Sequence, residues 1–380
     1  MQKKVFYWSP HINEQVATVK AVLNSAHSLS RYSKDFRPYI INTFGEWNNF
    51  SSKLDSFKIS TVKIFNLNIK LPINGFLKSR IFYIFFSIII FFPLINLIKK
   101  YKPDYIIIHL ITIPVLLASF FFKDTKFILR ISGFPKLNFF RRFLWRLLSK
   151  RIIKIFTPTI LTKKLLIKKK IFDENKIHLL EDPIIEIRKI VKFKNEQIKD
   201  LSNDIKYIIS IGRLTKQKNF EFLIKSFSKI KHELKDTKLL IIGSGEDREK
   251  LTRLINKYNL EKIILLKEYK ENIFNYLQKA QFFLLTSNVE DPGFVIIEAA
   301  ACNKFIICSN VNSGPKEFID NQKNGLLFEK NNYSDFRKMI LKFYQYNEYD
   351  LKKIKLSAKI KSKNYTIFRH FCKLNSFLRD

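Results

Sequence analysis

Short runs rich in Ile, Phe, Tyr and Val alternate with longer helix-compatible stretches along nearly the whole chain, and the alternation starts afresh past the middle. Runs at 5–8, 39–43, 62–66, 105–109, 127–131 and 152–156 read as strands, with helices such as 14–30 and 138–149 between them. A polar, Lys-rich stretch at 188–204 reads as the connection to a second set. There, strands at 207–211, 238–242, 263–266, 282–285 and 305–308 alternate with helices at 220–234, 247–258 and 293–302, and 341–380 reads as helical. Such alternation builds parallel sheets covered by helices. The expectation is an α/β chain of two doubly wound, Rossmann-like domains facing each other across a cleft. The first takes residues 1–185, with a helix at about 365–380 packing back on it; the second takes 186–364.

Size and composition agree. A chain of 380 residues suits two domains of roughly 150 each. Hydrophobic residues make up 46%, and only 9 Gly and 11 Pro occur, which excludes disordered and collagen-like classes. Three cysteines without a CxxC pair fit a reducing cytoplasm and argue against structural zinc. Residues 1–10 lack the apolar core of a signal peptide and read as a first strand.

Charge is the extreme property: 69 Lys+Arg against 33 Asp+Glu gives +36. Such a surface attracts nucleic acid, anionic lipid or phosphorylated substrates. The abundance of Lys, Ile, Asn and Phe also fits an AT-rich genome, and both readings stay open. The excess clusters in the first half, from Arg141 to Lys170. Nearby, 81–98 (IFYIFFSIIIFFPLINLI) reaches the lower limit of a membrane span. Strand-like runs on both sides favour a helix packed on the sheet with part of its face in the lipid interface. The basic stretch with Phe139, Phe140, Phe143 and Trp145 suits an anionic membrane face.

Ligands of doubly wound sheets bind beyond the carboxyl ends of the strands, so the loops there carry the chemistry. After 282–285 comes Glu290-Asp291-Pro292-Gly293-Phe294-Val295-Ile296-Ile297-Glu298. Gly293 permits close backbone approach, and the helix start behind it offers free N–H groups to phosphate. Glu298 stands among apolar residues and needs a polar partner, which ribose hydroxyls would supply. After 207–211, Arg213 and Lys218 can converge on a diphosphate. Gly243-Ser244-Gly245 is a lone Gly-x-Gly turn, and Ser309 to Glu317 carries a Gly314-Pro315 helix start.

In order and spacing, ISIGRLTKQKNFEFLIKSF, LLIIGSGEDREKL, the Glu-x7-Glu segment and SGPKEFIDNQKNGLLF resemble the donor half of family 4 glycosyltransferases of the GT-B fold, over about 207–328. The resemblance implies a retaining transferase of the kind that builds bacterial cell-surface polysaccharide or lipopolysaccharide. It implies that Glu298 holds the nucleotide ribose and that Glu290 contacts hydroxyls of the transferred sugar. Arg213 and Lys218 would neutralise the leaving diphosphate, and Gly293, Phe294 and Val295 would offer backbone donors. In the first half, PDYIIIH resembles the family's strand ending in a His that faces the donor sugar, which makes His109 the second catalytic candidate. The family's Gly-rich first loop is here Pro10 to Thr18, without glycine. Arg130 to Lys136 reads as a further cleft-facing loop on the acceptor side.

No Asp-x-Asp pair and no Cys/His cluster occurs, so neither metal nor cofactor is expected beyond the nucleotide-sugar donor. The expected partners are a nucleotide sugar, a glycan or polyprenyl-diphosphate-linked acceptor, and an anionic membrane surface, with the protein peripheral on the cytoplasmic side. Nucleic acid is not expected, because no motif of that class is present. A GT-B-fold nucleotide-sugar epimerase and an inactive sugar-nucleotide-binding module remain the alternatives.

Overall fold

The computed structural model describes residues 2–10, 17–65, 76–133, 135, 137–202, 204–234, 236–312 and 314–380, with the backbone alone at 76–84 and 140. Pro10 to Thr18 therefore lies largely outside the described residues, as do Phe134, Lys136 and Ser313. The chain divides into two compact units, Met1–Pro183 with Ile367–Asp380, and Ile184–Thr366.

The first unit holds seven strands: β1 Lys3–Trp8, β2 Phe36–Asn42, β3 Ser60–Lys63, β4 Tyr105–Ile108, β5 Lys126–Arg130, β6 Ile152–Thr157 and β7 Ile177–Leu179. Their order is β3-β2-β1-β4-β5-β6-β7, all parallel, with β1 and β4 in register at Val5↔Tyr105 and Phe6↔Ile106. Strands buried on both faces read as unbroken apolar runs, and Tyr-Ile-Ile-Ile in β4 is buried throughout. One face packs against the helices Phe76–Tyr101, Ile113–Ala118, Phe139–Leu148 and Ile160–Lys168. The other packs against Ala17–Tyr32 and the last helix, Ile367–Arg379, whose Leu374 and Leu378 are buried there.

The second unit holds β8 Tyr207–Ile211, β9 Lys238–Ile242, β10 Ile264–Lys267, β11 Phe282–Leu285, β12 Phe305–Asn310 and β13 Leu326–Glu329, in the order β10-β9-β8-β11-β12-β13. Counted within its own unit, each sheet runs 3-2-1-4-5-6, the doubly wound order, with a seventh strand added at the edge of the first. The fold is the α/β class expected, repeated.

Two readings change, and a third, the helix packed on the sheet, holds. β7 and β13 were not expected as strands: β7 is three residues long, too short for a periodic signal. The polar stretch at 188–204 is part of the second unit, where the Tyr276 hydroxyl donates to Asp200 and Lys267 and Lys270 pair with that carboxylate. The apolar segment at 81–98 lies inside the helix Phe76–Tyr101, with Phe86, Ile90, Leu94 and Ile98 buried against the sheet. Among the described residues no helix is long and apolar enough to cross a membrane.

Candidate active site

In a doubly wound sheet the strand order reverses between the first and fourth strands, and the loops leaving their carboxyl ends diverge to leave a crevice. In the second unit those strands are β8 and β11, paired at Ile209↔Phe283. The loop after β8 carries Arg213 and Lys218; the loop after β11 carries Ser287, Glu290 and Gly293.

Lys218 Nζ forms an ion pair with Glu290 Oε1, and Ser287 Oγ donates to the same oxygen at 2.6 Å. Glu290 is 4% exposed, so a carboxylate and an ammonium are held together largely out of water. Arg213, on the same loop as Lys218, is exposed. Gly293 has φ +87°, a left-handed value that costs a residue with a Cβ and suits glycine. It caps the helix Phe294–Ala301, whose first amides have no intrahelical acceptor. Phe294 and Val295 open that helix half-buried, and Glu298 is buried on it among Ile and Ala.

Glycines hold these loops at the required separation. A Cβ on Gly243 would sit 1.9 Å from the Gly212 carbonyl oxygen, and one on Gly245 would sit 2.4 Å from that of Leu214. Leu214 N donates to Ser244 O (2.9 Å), which ties the loop after β9 to the loop after β8. The Gly-x-Gly turn is thus a packing device between loops. On the other side Gly314 N donates to Glu290 O (3.1 Å), and a Cβ there would fall 1.9 Å from Pro292 O. Ser309 Oγ donates to Ser287 O at 2.7 Å. Sequence reasoning missed Ser287; its position three residues before Glu290, in a loop at a strand's carboxyl end, was the available signal.

In the first unit, His109 follows β4 at the equivalent reversal, and its N–H donates to Trp8 O of β1 (2.9 Å). Its ring is buried and neither ring nitrogen has a hydrogen-bond partner among the described residues. Burial first, then the charge of Arg130 and the neighbouring His370, hold its pKa well below the usual value, so the ring is neutral. It can give one hydrogen bond and take one.

Arg130 overturns the expectation for its loop. It is buried, pairs with Asp182 and donates to Leu180 O, so it faces the interior of the first unit instead of a substrate. An Arg at the carboxyl end of a buried strand has no water to reach, and an acid must accompany it. Beside this pair runs a chain the sequence did not announce. His370 Nδ1 lies 2.7 Å from the Glu181 carbonyl oxygen, which only accepts, so Nδ1 carries the hydrogen and Nε2 is the acceptor. Ser25 Oγ then donates to Nε2 (2.9 Å) and accepts from the Tyr7 hydroxyl (3.0 Å). His109, Arg130, Ser25 and His370 line one cavity of about 10 Å³. Among the described residues no group of three or more His, Cys, Asp or Glu is arranged to hold a metal.

The two neutral histidines make the first unit acid-sensitive. Burial lowers His370 to about 3, and His109 moves the same way. The unfolded chain takes up protons below about 6.5, and the folded one does so only at much lower pH. For His370 that contribution is complete above pH 6.5 and is lost as pH falls toward 3, at about 2 kcal/mol by pH 5, and His109 adds a loss of the same sign. Urea unfolding at pH 7.5, 6 and 5 should show this slope, and His370→Gln with His109→Gln should flatten it. An unchanged slope in the double variant would mean that other groups cause it.

The family described as glycosyl transferases group 1 matches residues 191–362, almost the whole second unit, and takes in Arg213, Lys218, Ser287, Glu290, Gly293 and Gly314. An uncharacterized glycosyltransferase of Methanocaldococcus jannaschii is 31% identical over 251 residues, 60% of this chain and 61% of that protein. The N-acetylgalactosamine-N,N'-diacetylbacillosaminyl-diphospho-undecaprenol 4-alpha-N-acetylgalactosaminyltransferase of Campylobacter jejuni is 36% identical over 135 residues, 36% of each chain. The chain thus spans less than two thirds of the length of either curated relative. A solved glycosyltransferase from Rickettsia africae superposes with a TM-score of 0.78, covering 100% of this chain and 98% of that one at 19% identity, a likeness of fold. Residues 191–362 are the part of the chain in which fold, loop chemistry and sequence similarity coincide.

Proposed function

We propose that this chain is a retaining glycosyltransferase that moves a hexosyl or N-acetylhexosaminyl group from a nucleotide sugar to a glycan or polyprenyl-diphosphate-linked acceptor. It would act in cell-surface polysaccharide synthesis at the cytoplasmic face of the membrane. The observation that carries the reading is the assembly of Lys218, Ser287, Glu290 and Gly293 at the β8/β11 reversal of a group 1 domain. The diphospho-undecaprenol acceptor in the name of the Campylobacter relative supports the lipid-linked acceptor.

The acceptor hydroxyl attacks the anomeric carbon from the face that the diphosphate leaves, and the departing phosphate oxygen takes its proton. Arg213, Lys218 and the amides of Gly293, Phe294 and Val295 stabilise the leaving charge, so no metal is required. Glu298 holds the ribose hydroxyls. Glu290 binds sugar hydroxyls while Ser287 and Lys218 fix its orientation. No protein nucleophile takes part.

The test uses purified wild type and Glu298→Ala with radiolabelled UDP-, GDP- and ADP-sugars, a membrane lipid extract and EDTA. Label should enter the lipid fraction in the wild type only, with the donor's anomeric configuration kept. Inverted product, a glycosyl-protein adduct, or conversion of the donor without acceptor would each overturn the reading.

A further inference from the structure

We propose that the helical layer over one face of the first sheet is a docking surface for an anionic lipid bilayer. The proposal rests on the reading of a lipid-linked acceptor and deepens it by naming the surface that meets the lipid. Four helices form the layer: Phe76–Tyr101, Ile113–Ala118, Phe139–Leu148 and Ile160–Lys168. None of them contains a single Asp or Glu.

Each of the two longest buries one stripe and leaves another in solvent. In Phe76–Tyr101 the outward stripe is Phe85, Ile88 and Phe92, at intervals of three and four, with Phe92 72% exposed. In Phe139–Leu148 it is Phe139 and Phe143, the former 85% exposed. Trp145, expected on this surface, is buried instead: it packs on Phe172, with Arg141 over its ring. That places the lipid-facing part of the helix on the Phe139 side.

The outward groups form one continuous surface. Phe91 packs against both Phe92 (5.5 Å between centroids) and Phe121 (6.1 Å), which joins the first helix to the exposed Phe121 in the turn after the second. Arg151, just past the third helix, donates to the Phe122 carbonyl at 3.0 Å, and Arg146 donates to the Lys170 carbonyl at 2.9 Å, which joins the third helix to the end of the fourth. Exposed cations line the same elements, among them Lys100, Arg141, Lys150, Lys164 and Lys168.

Large exposed aromatic and aliphatic groups inside a cationic border match a bilayer with anionic headgroups. The apolar stripes enter the acyl boundary and the cations remain among the phosphates. On the opposite face of this sheet, helix Ala17–Tyr32 is largely buried and the outward apolar groups are far fewer, Phe368 being the large one. The asymmetry selects one side for the lipid.

The test is sedimentation of the full chain with vesicles of phosphatidylcholine alone or with phosphatidylglycerol, without nucleotide sugar, so that the result is independent of transferase activity. The variant Phe92→Ser/Phe121→Ser/Phe143→Ser changes only solvent-facing side chains and should melt like the wild type. The wild type should pellet with phosphatidylglycerol vesicles at least about tenfold more than with phosphatidylcholine alone, and less at 0.5 M salt. The triple variant should stay in the supernatant. A wild type that ignores anionic vesicles, or a triple variant that binds as the wild type does, overturns the proposal. So does a concentration-dependent dimer, abolished by the triple variant, in a protein that does not bind vesicles: it would assign the surface to a second copy of this chain.

Discussion

Lys218→Met is expected to lower the rate of sugar transfer roughly 100- to 1,000-fold, the usual loss when a charge aimed at a leaving group is removed from a shielded site. The same change should lower stability by about 3 kcal/mol, because Glu290 would keep its buried charge with Ser287 as the remaining donor. Stability and catalysis can be separated with Glu290→Gln and the double variant. The two side chains touch, so the double variant should be less destabilised than the summed singles, by about 2 kcal/mol. Its transfer rate should remain as low as that of the worse single variant. Denaturant unfolding and initial rates on the four proteins decide the matter. A double variant that recovers both stability and rate would make the ion pair a structural strut with no part in the chemistry.

The second large effect concerns a residue with no side chain. Gly314→Ala should destabilise the protein by about 3 kcal/mol and abolish donor binding by whatever remains folded. Its new Cβ would lie 1.9 Å from the Pro292 oxygen and 2.4 Å from the Pro292 carbonyl carbon, both backbone atoms, so no rotamer change relieves the clash. The loop must move, and with it the Glu290 carbonyl that accepts from Gly314 N. Gly133→Ala is the matched control: among the described residues nothing lies within 4 Å of its Cβ position, and it should melt like the wild type. Thermal melts with and without donor would show the contrast. A Gly314→Ala protein with ordinary melting and donor-dependent stabilisation would mean that the loop adapts, and that the glycine is not what sets its position.

How much of this was legible beforehand follows from the range of each interaction. The α/β class was legible because parallel strands buried on both faces must be written as apolar runs, as in Tyr105–Ile108 and Phe282–Leu285. The loops at the β8/β11 reversal were legible because a crevice needs glycine and charge just past a strand, which places Arg213, Lys218, Glu290 and Gly293 in the sequence where the sheet order places them in space. What the residues do to one another was not. The Lys218–Glu290 pair spans 72 positions, Arg130 finds Asp182 across 52, and Ser25 meets His370 across 345. No local period encodes such partnerships. Arg130 was misread for that reason: a cation at a strand end looks the same in sequence whether it meets a ligand or a buried acid.

The helix Ile367–Arg379 has a consequence for the order in which the protein can be made. It belongs to the first unit, yet the chain reaches it only after completing the second. Until it arrives, the sheet face carrying Val5, Tyr7 and Tyr105 lacks Leu374 and Leu378, and Ser25 lacks His370. On the ribosome, the segment synthesised first is therefore the last to close, and it waits with an apolar face uncovered while an uninterrupted neighbour folds behind it. Such a nascent chain invites chaperone binding over that face, and termination just after Thr366 would leave a folded second unit tethered to an unfinished first.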